Sequence, residues 1–288
     1  MRVLLTYRCS PAIFDCMKLA HLSDLHVGRR ASHAKMEALS ADIKLQAPKL
    51  LIVSGDITDQ GYKRQFRRAL NFLQSLEIPF ISVPGNREVC PAAFWEWMFP
   101  WCAMRRYSRF FGDKDRVLYL SHQHKIVFFG LNSVHPFPSW PGAVTRKSRY
   151  WLKEQASGFD GYFKGLFLHH PVLPVIGSSS FWAHSFTDAG EILNICTQNN
   201  ISLILQGHKH RSAVMELSVP SRTAKVIVSS CGAPLMPYWD STYHIVDISH
   251  SSIVVQPREY RDGSFCGDEP FEFSRNGPPA PERRPPLD

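Results

Sequence analysis

Five short apolar runs in this chain each end in residues that can bind a cation, and that repetition limits the folds open to it. "KLAHL" leads into Asp24 and His26, "KLLIVS" into Asp56, "IPFISV" into Asn86, "GLFL" into His169, and "ISLILQ" into His208 and His210. Apolar runs of this length, bounded by glycine and polar residues, read as buried strands. Between the first three runs the spacing is helical: "KMEALSADIKLQ", then residues 61–76, where Phe66, Ala69, Leu70, Leu73 and Leu76 share one face. The first half therefore alternates β-α-β-α-β. Loops at the carboxyl ends of strands are where open α/β sheets build their sites, so the pattern gathers seven oxygen and nitrogen donors in one place.

Those donors include no thiolate, which suits two hard or borderline divalent ions such as manganese, magnesium, iron or zinc. In D-x-H and H-x-H the alternate residues of an extended segment point the same way and reach one metal cluster together. A lone D-x-H or H-x-H is more often an ordinary surface loop than a ligand pair. The ordered set is what carries weight.

"SDLH", "GDITD", "GNRE", "HHP" and "GHKH", in this order and each behind a strand, resemble the calcineurin-like metallophosphoesterases from about Leu19 to Ser249. The resemblance implies a four-layer αββα sandwich, two mixed sheets flanked by helices. It implies Asp24, His26 and His210 on one divalent ion, Asn86, His169 and His208 on a second, Asp56 bridging them, and manganese as the expected metal. His169 is preferred to His170 because the family ligand stands two residues before the proline, here Pro171. Asp59 is expected to be a turn or supporting carboxylate. It occupies the place where purple acid phosphatases carry a ligand tyrosine, so that branch is not matched. His21, His135, His170 and His184 are expected to be structural or substrate-facing, and His122 and His124 to lie in a turn. The implied chemistry is attack on phosphorus by a water that two ions, about 3.5–4 Å apart, make acidic.

Arg87 departs from the family's commoner "GNH". An alkoxide leaving group benefits from a histidine acid, whereas a leaving phosphate needs only stabilised charge, which a guanidinium supplies. Arg87, with Asp56, is thus expected to be catalytic on a pyrophosphate bond. "GNR" followed by an acid resembles the bacterial enzymes that split UDP-2,3-diacylglucosamine into UMP and lipid X (2,3-diacylglucosamine 1-phosphate) in lipid A biosynthesis, including the chlamydial type. Ala92 to Phe111 then form an aromatic and basic insertion, in which Trp97, Trp101, Arg105 and Arg106 are expected to contact a lipid-linked nucleotide diphosphate or an anionic membrane surface. Its alternative is an ordinary buried helix pair. "GYKRQFRR" offers further cations at helical spacing, ordinarily a solvated face. The rival functions are a cyclic-nucleotide or general phosphodiesterase, which should prefer histidine at position 87, and a non-catalytic scaffold, which should have lost ligands.

Composition adds limits. The formal charge of +8 favours anionic partners without choosing among them. No nucleic-acid partner is expected, because the aromatic insertion is too apolar for a strand-binding groove. The seven scattered cysteines read as reduced thiols, hence a cytoplasmic protein held peripherally at the inner membrane. Residues 1–16 read as an extension, 17–256 as the domain, and 257–288, rich in Pro and Gly, as a flexible tail.

Overall fold

The computed structural model describes residues 16–89, 104–135, 141–175, 186–218 and 225–275. Strand β1 (Met17–Leu22) is followed by α1 (His33–Gln46), β2 (Leu50–Ser54), α2 (Lys63–Ser75) and β3 (Phe80–Val83), the alternation that the apolar runs dictate. Then come α3 (Arg105–Phe111), the hairpin β4 (Arg116–Ser121) and β5 (Ile126–Leu131), α4 (Arg146–Ser157), β6 (Phe163–Phe167), α5 (Ala189–Gln198) and β7 (Ile201–Gln206). The described chain closes on strands alone: β8 (Ala213–Ser218), β9 (Lys225–Ser230), β10 (Thr242–Ile248), β11 (Ser252–Arg261), β12 (Ser264–Gly267) and β13 (Phe271–Ser274).

One sheet has the order β12-β11-β10-β1-β2-β3, with β13 also on β11; the other has β4-β5-β6-β7-β9-β8. Both are mixed, since β1-β2-β3 and β5-β6-β7-β9 run parallel while their outer neighbours run antiparallel. Successive side chains of a strand face opposite ways, and here both faces are buried. Leu19, Leu50 and Ile52 pack between the sheets with Phe128, Phe167 and Leu205, whereas Ala20, Leu51 and Val53 pack outward with Leu39, Phe66 and Leu73 of α1 and α2. On the far side Val127, Leu166 and Ile204 meet Leu152 and Ile192 of α4 and α5. The result is the four-layer arrangement of two mixed sheets flanked by helices.

One expectation changes. The proposed tail boundary at residue 257 cuts through β11, which pairs with β10 up to Glu259 and with both β12 and β13. The reason is Arg258, only 8% exposed, whose guanidinium donates to Asp42 Oδ1 and Oδ2 of α1 at 2.7 and 2.5 Å. A buried bidentate ion pair secures this stretch, which composition assigns to a solvated tail. Of the insertion at 92–111, Trp97 and Trp101 lie outside the described residues; its last turns form α3, which buries Tyr107 and stacks Phe110 on Phe66 of α2 at 5.7 Å. Arg105 and Arg106 line a surface cavity with Lys63.

Candidate metal centre

The two sheets contribute different donors. Sheet one supplies Asp24 and His26 after β1, Asp56 after β2 and Asn86 after β3; sheet two supplies His169 after β6, and His208 and His210 after β7. The segments past β1 and β2 continue side by side, with Asp24 N–H donating to the Gly55 carbonyl (3.0 Å) and His26 N–H to the Asp56 carbonyl (2.9 Å). Close approach of the ligand loops depends on glycine: a Cβ on Gly85 would stand 2.2 Å from the Asp56 nitrogen, and one on Gly207 1.8 Å from Ser23 Oγ.

All seven sequence-selected residues meet in one cluster. His26 Nε2 is 3.0 Å from His210 Nε2, and His210 Nε2 is 3.1 Å from Asp24 Oδ1. Asn86 Oδ1 lies 3.0 Å from both His169 Nε2 and His208 Nδ1. Asp56 stands between the two groups, its Oδ2 3.7 Å from His26 and its Oδ1 3.4 Å from His169. Its Oδ1 also accepts the Arg87 N–H at 2.8 Å. Five of the seven, Asp24, His26, Asp56, His208 and His210, have φ between 45° and 72°. Left-handed backbone in non-glycine residues costs energy and collects at functional sites.

Supporting groups aim the ligands. His169 Nδ1 pairs with the Ser54 carbonyl at 2.9 Å, which assigns the proton to Nδ1 and turns the Nε2 lone pair toward the cluster. Asp24 Oδ2 accepts from Ser23 Oγ (2.6 Å) and from His208 N–H (2.9 Å), so Oδ1 is the oxygen left for the site. Burial raises the Asp24 carboxyl, but the charge of the adjacent His210 prevails and holds it well below the usual carboxylate range. Burial, reinforced by the Asp24 charge, pushes Asp56 up to about 7, and burial pushes His26 down to about 3. A neutral His26 presents a lone pair, and two carboxylates kept this close call for a cation between them.

The residues present fit metal. Asp24 Oδ1 is buried and, despite its short distance to His210, has no aligned hydrogen-bond donor among the described residues. Asp24, His26, Asp56 and His210 offer four ligand atoms mutually within 4.8 Å. With Asn86, His169 and His208 alongside, the donor set suits two divalent ions.

Sequence reasoning left out two residues that matter here. Glu88, buried next to Arg87, accepts from Thr58 N–H and Oγ (both 2.9 Å) and from Gly85 N–H (2.7 Å), tying the Asp56 loop to the Asn86 turn. Its place in "GNRE" was visible, its burial was not. Trp239 lies on His210 with ring centroids 3.8 Å apart, and "PYWD" carries no local signal for that contact. Asp59 lies beside Gly28, outside the ligand set. His21 bonds Ser54 Oγ at 2.8 Å and His170 Nδ1 pairs with Ser133 Oγ at 3.0 Å, both structural contacts. His122 pairs with Tyr162, and His184 is outside the described residues.

Comparison with known proteins agrees with this geometry. The chain is 25% identical over 242 residues to a glycerophosphodiester phosphodiesterase of Enterobacter lignolyticus, covering 78% of this chain and 83% of that protein. It is 22% identical over 213 residues to a probable cyclic nucleotide phosphodiesterase of Xenorhabdus bovienii, covering 69% and 80%. A dimetal phosphatase from Danio rerio has the same fold, with a TM-score of 0.63 at 12% identity over 90% of this chain and 99% of that one. The family model for calcineurin-like phosphoesterases matches residues 17–212, a span that begins with β1 and ends just past His210. With the strand-end donors, the two mixed sheets and that match in agreement, the chain belongs to the calcineurin-like phosphoesterase family and is a metal-dependent phosphoester hydrolase.

Proposed function

We propose that this protein hydrolyses a phosphorus centre carrying two substituents, a phosphodiester in the first instance. Family membership and the two phosphodiesterase relatives support the class. In this reading Asp24, His26 and His210 would hold one divalent ion and Asn86, His169 and His208 a second, with Asp56 placed to serve both. Ions bound there would supply an acidified water and charge stabilisation at phosphoryl oxygens. The protein's own part is alignment: Ser54 fixes the His169 tautomer, Ser23 and the His208 N–H fix Asp24, and Glu88 fixes the turn bearing Arg87.

The observation that narrows the substrate is Arg87. It is exposed at the cluster, its N–H holds Asp56, and it stands where a proton donor would be useful to an alkoxide. A guanidinium gives permanent charge and a bidentate fork instead. That favours a second reading within the class: cleavage of a pyrophosphate bond in a lipid-linked nucleotide, with UDP-2,3-diacylglucosamine giving lipid X and UMP as the specific case. An anionic bilayer is the partner this reading requires. It draws support from α2 and α3, where exposed Lys63, Arg64, Arg67, Arg68, Arg105 and Arg109 occur with no acidic residue on either helix. Cations in a first helical turn oppose the helix dipole, so Lys63 and Arg64 there suit an external anion better than they suit the helix.

The test is product analysis by mass spectrometry with the purified, manganese-loaded protein. Glycerophosphoethanolamine, cyclic AMP and UDP-2,3-diacylglucosamine are supplied in parallel, the last in anionic vesicles. Preferred turnover of the diphosphate supports the pyrophosphatase reading; preferred turnover of either diester supports the simpler one. No turnover of any of the three overturns both.

A further inference from the structure

Loop 231–241, between β9 and β10, brings the Trp239 ring to the rim of the metal centre. The Trp239 ring centroid is 3.8 Å from that of His210 and 5.8 Å from that of His26. Trp239 nevertheless keeps 40% of its surface exposed, and Tyr238 keeps 84%. Large aromatic side chains gain most from burial, so a Trp that is half committed to a metal ligand and half open to water is suited to a second apolar face.

The loop is held in place before any ligand arrives. Ser241 Oγ donates to the Met236 carbonyl (2.9 Å), as does Lys35 Nζ (2.9 Å), while the N–H groups of Ala233 and Thr242 both donate to the Asp240 carbonyl (2.8 Å). Gly232 permits the closure, because a Cβ there would stand 2.1 Å from that same carbonyl. A fixed aromatic face binds without the entropic cost of ordering a loop.

Charge selects what can lie on it. Arg87 is exposed and tied to the same cluster, its N–H donating to Asp56 Oδ1 at 2.8 Å, so it brings a permanent cation to the site. A quaternary ammonium or other cationic group, the usual alternative guest of exposed aromatics, is repelled there. A neutral planar ring joined to the reacting phosphate meets no such penalty.

We propose that Trp239 is a specificity-determining residue that stacks a planar base carried on the substrate phosphate, making the preferred substrate a nucleotidyl ester or anhydride. The inference deepens the phosphodiesterase reading and rests on it. The stacking partner is a nucleobase because bases present an uncharged aromatic face within a few bonds of phosphorus.

The experiment uses the metal-loaded protein, with UMP and glycerol 3-phosphate as probes for calorimetric titration. Trp239→Leu should weaken UMP binding roughly 10–100-fold, the strength of one base stacked on an aromatic side chain, and leave glycerol 3-phosphate unchanged. Trp239→Phe should recover most of the UMP affinity. Indole fluorescence should be quenched by UMP in the wild type and not in Trp239→Leu. In turnover, Trp239→Leu should raise KM for a nucleoside diester with kcat maintained, and leave glycerophosphoethanolamine unaffected. Equal weakening of both probes, or loss of bound metal, overturns the proposal and assigns Trp239 to packing on His210. Unchanged UMP affinity in both variants also overturns it. If UMP binds through Trp239 but the wild type turns over no diester or anhydride, the hydrolytic reading fails while the binding face stands.

Discussion

His21 lies in β1 and His26 five residues on, past its end, and each belongs to a buried group of metal-ligating residue types. His21 lies with Cys231 and His244; His26 lies with Asp24, Asp56 and His210. In the first group every ring nitrogen has a partner of its own: His21 pairs with Ser54 Oγ (2.8 Å) and Cys231 Sγ (3.2 Å), and His244 pairs with Ser212 and Ser229 (2.8 and 2.7 Å). Both histidines sit in regular strands, opposite each other in the β1–β10 register. In the second group nitrogens face nitrogens, one carboxylate oxygen lacks an aligned donor, and the backbone is left-handed at each of the four residues. Residue type is therefore a poor guide by itself. A buried polar cluster whose hydrogen bonds close on themselves is a structural network, and one that leaves lone pairs converging calls for a cation.

The comparison breaks most visibly at Asp56. Asp56→Ala should remove hydrolysis by more than the roughly 10²–10³-fold cost of one lost electrostatic donor, with the fold retained, while Cys231→Ala should leave kcat/KM and metal content unchanged. Near-normal turnover of Asp56→Ala at saturating manganese, or metal loss in Cys231→Ala, would erase the distinction between the clusters. A second, narrower effect belongs to Arg87. Arg87→Ala should depress cleavage of a diphosphate by roughly 10²–10³-fold with metal still bound, and Arg87→His should restore little of it while improving a soluble phosphodiester with an alkoxide leaving group. Parallel losses on both substrates would mean that Arg87 serves the site generally.

Metal removal sharpens the contrast further. Stripping the ions with a chelator should lower Tm, since a ligand at 100 times its Kd adds about 2.7 kcal/mol, or roughly 5–10 °C for a domain of this size. A His244→Asn variant should show the same shift on stripping, because the ring nitrogens of its cluster are already taken up by hydrogen bonds. An unshifted Tm in the wild type would mean that the seven donors bind no ion.

The smallest effect is on acid stability. Burial pushes His244 down to about 3 from its ordinary 6.5. Between those values the folded state binds fewer protons than the unfolded chain, so stability falls as pH drops from about 6.5 toward 3. At and above neutral pH the group is neutral in both states and the dependence vanishes. Thermal melts of the stripped protein between pH 7 and 4 should slope downward into acid, and less steeply in His244→Asn. Parallel slopes would show that His244 is not held neutral.

Much of the metal centre was legible because strands ending in polar donors repeat along the chain: Asp24, Asp56, Asn86, His169 and His208 each follow an apolar run. Glu88 was adjacent to that pattern but silent, since nothing local separates a surface acid from one that accepts three hydrogen bonds in the interior. The same holds for Arg258. Its neighbours Pro257 and Glu259 read as tail, and only its pairing with Asp42, 216 positions away, makes that stretch part of the sheet.

The sequence by itself determined the alternation of elements, the strand ends at which ligands emerge and the arginine where a histidine is commoner, because periodicity and motif spacing act over a few residues. Tertiary structure alone decided which polar groups close on one another: His21 with Cys231, Asp42 with Arg258, and Trp239 on His210. Each of the first two pairs is more than 200 positions apart, and Trp239 meets His210 across the whole of β8 and β9. Such contacts repeat at no local period. They follow from the order and register in which two sheets of buried strands assemble, which no single segment specifies.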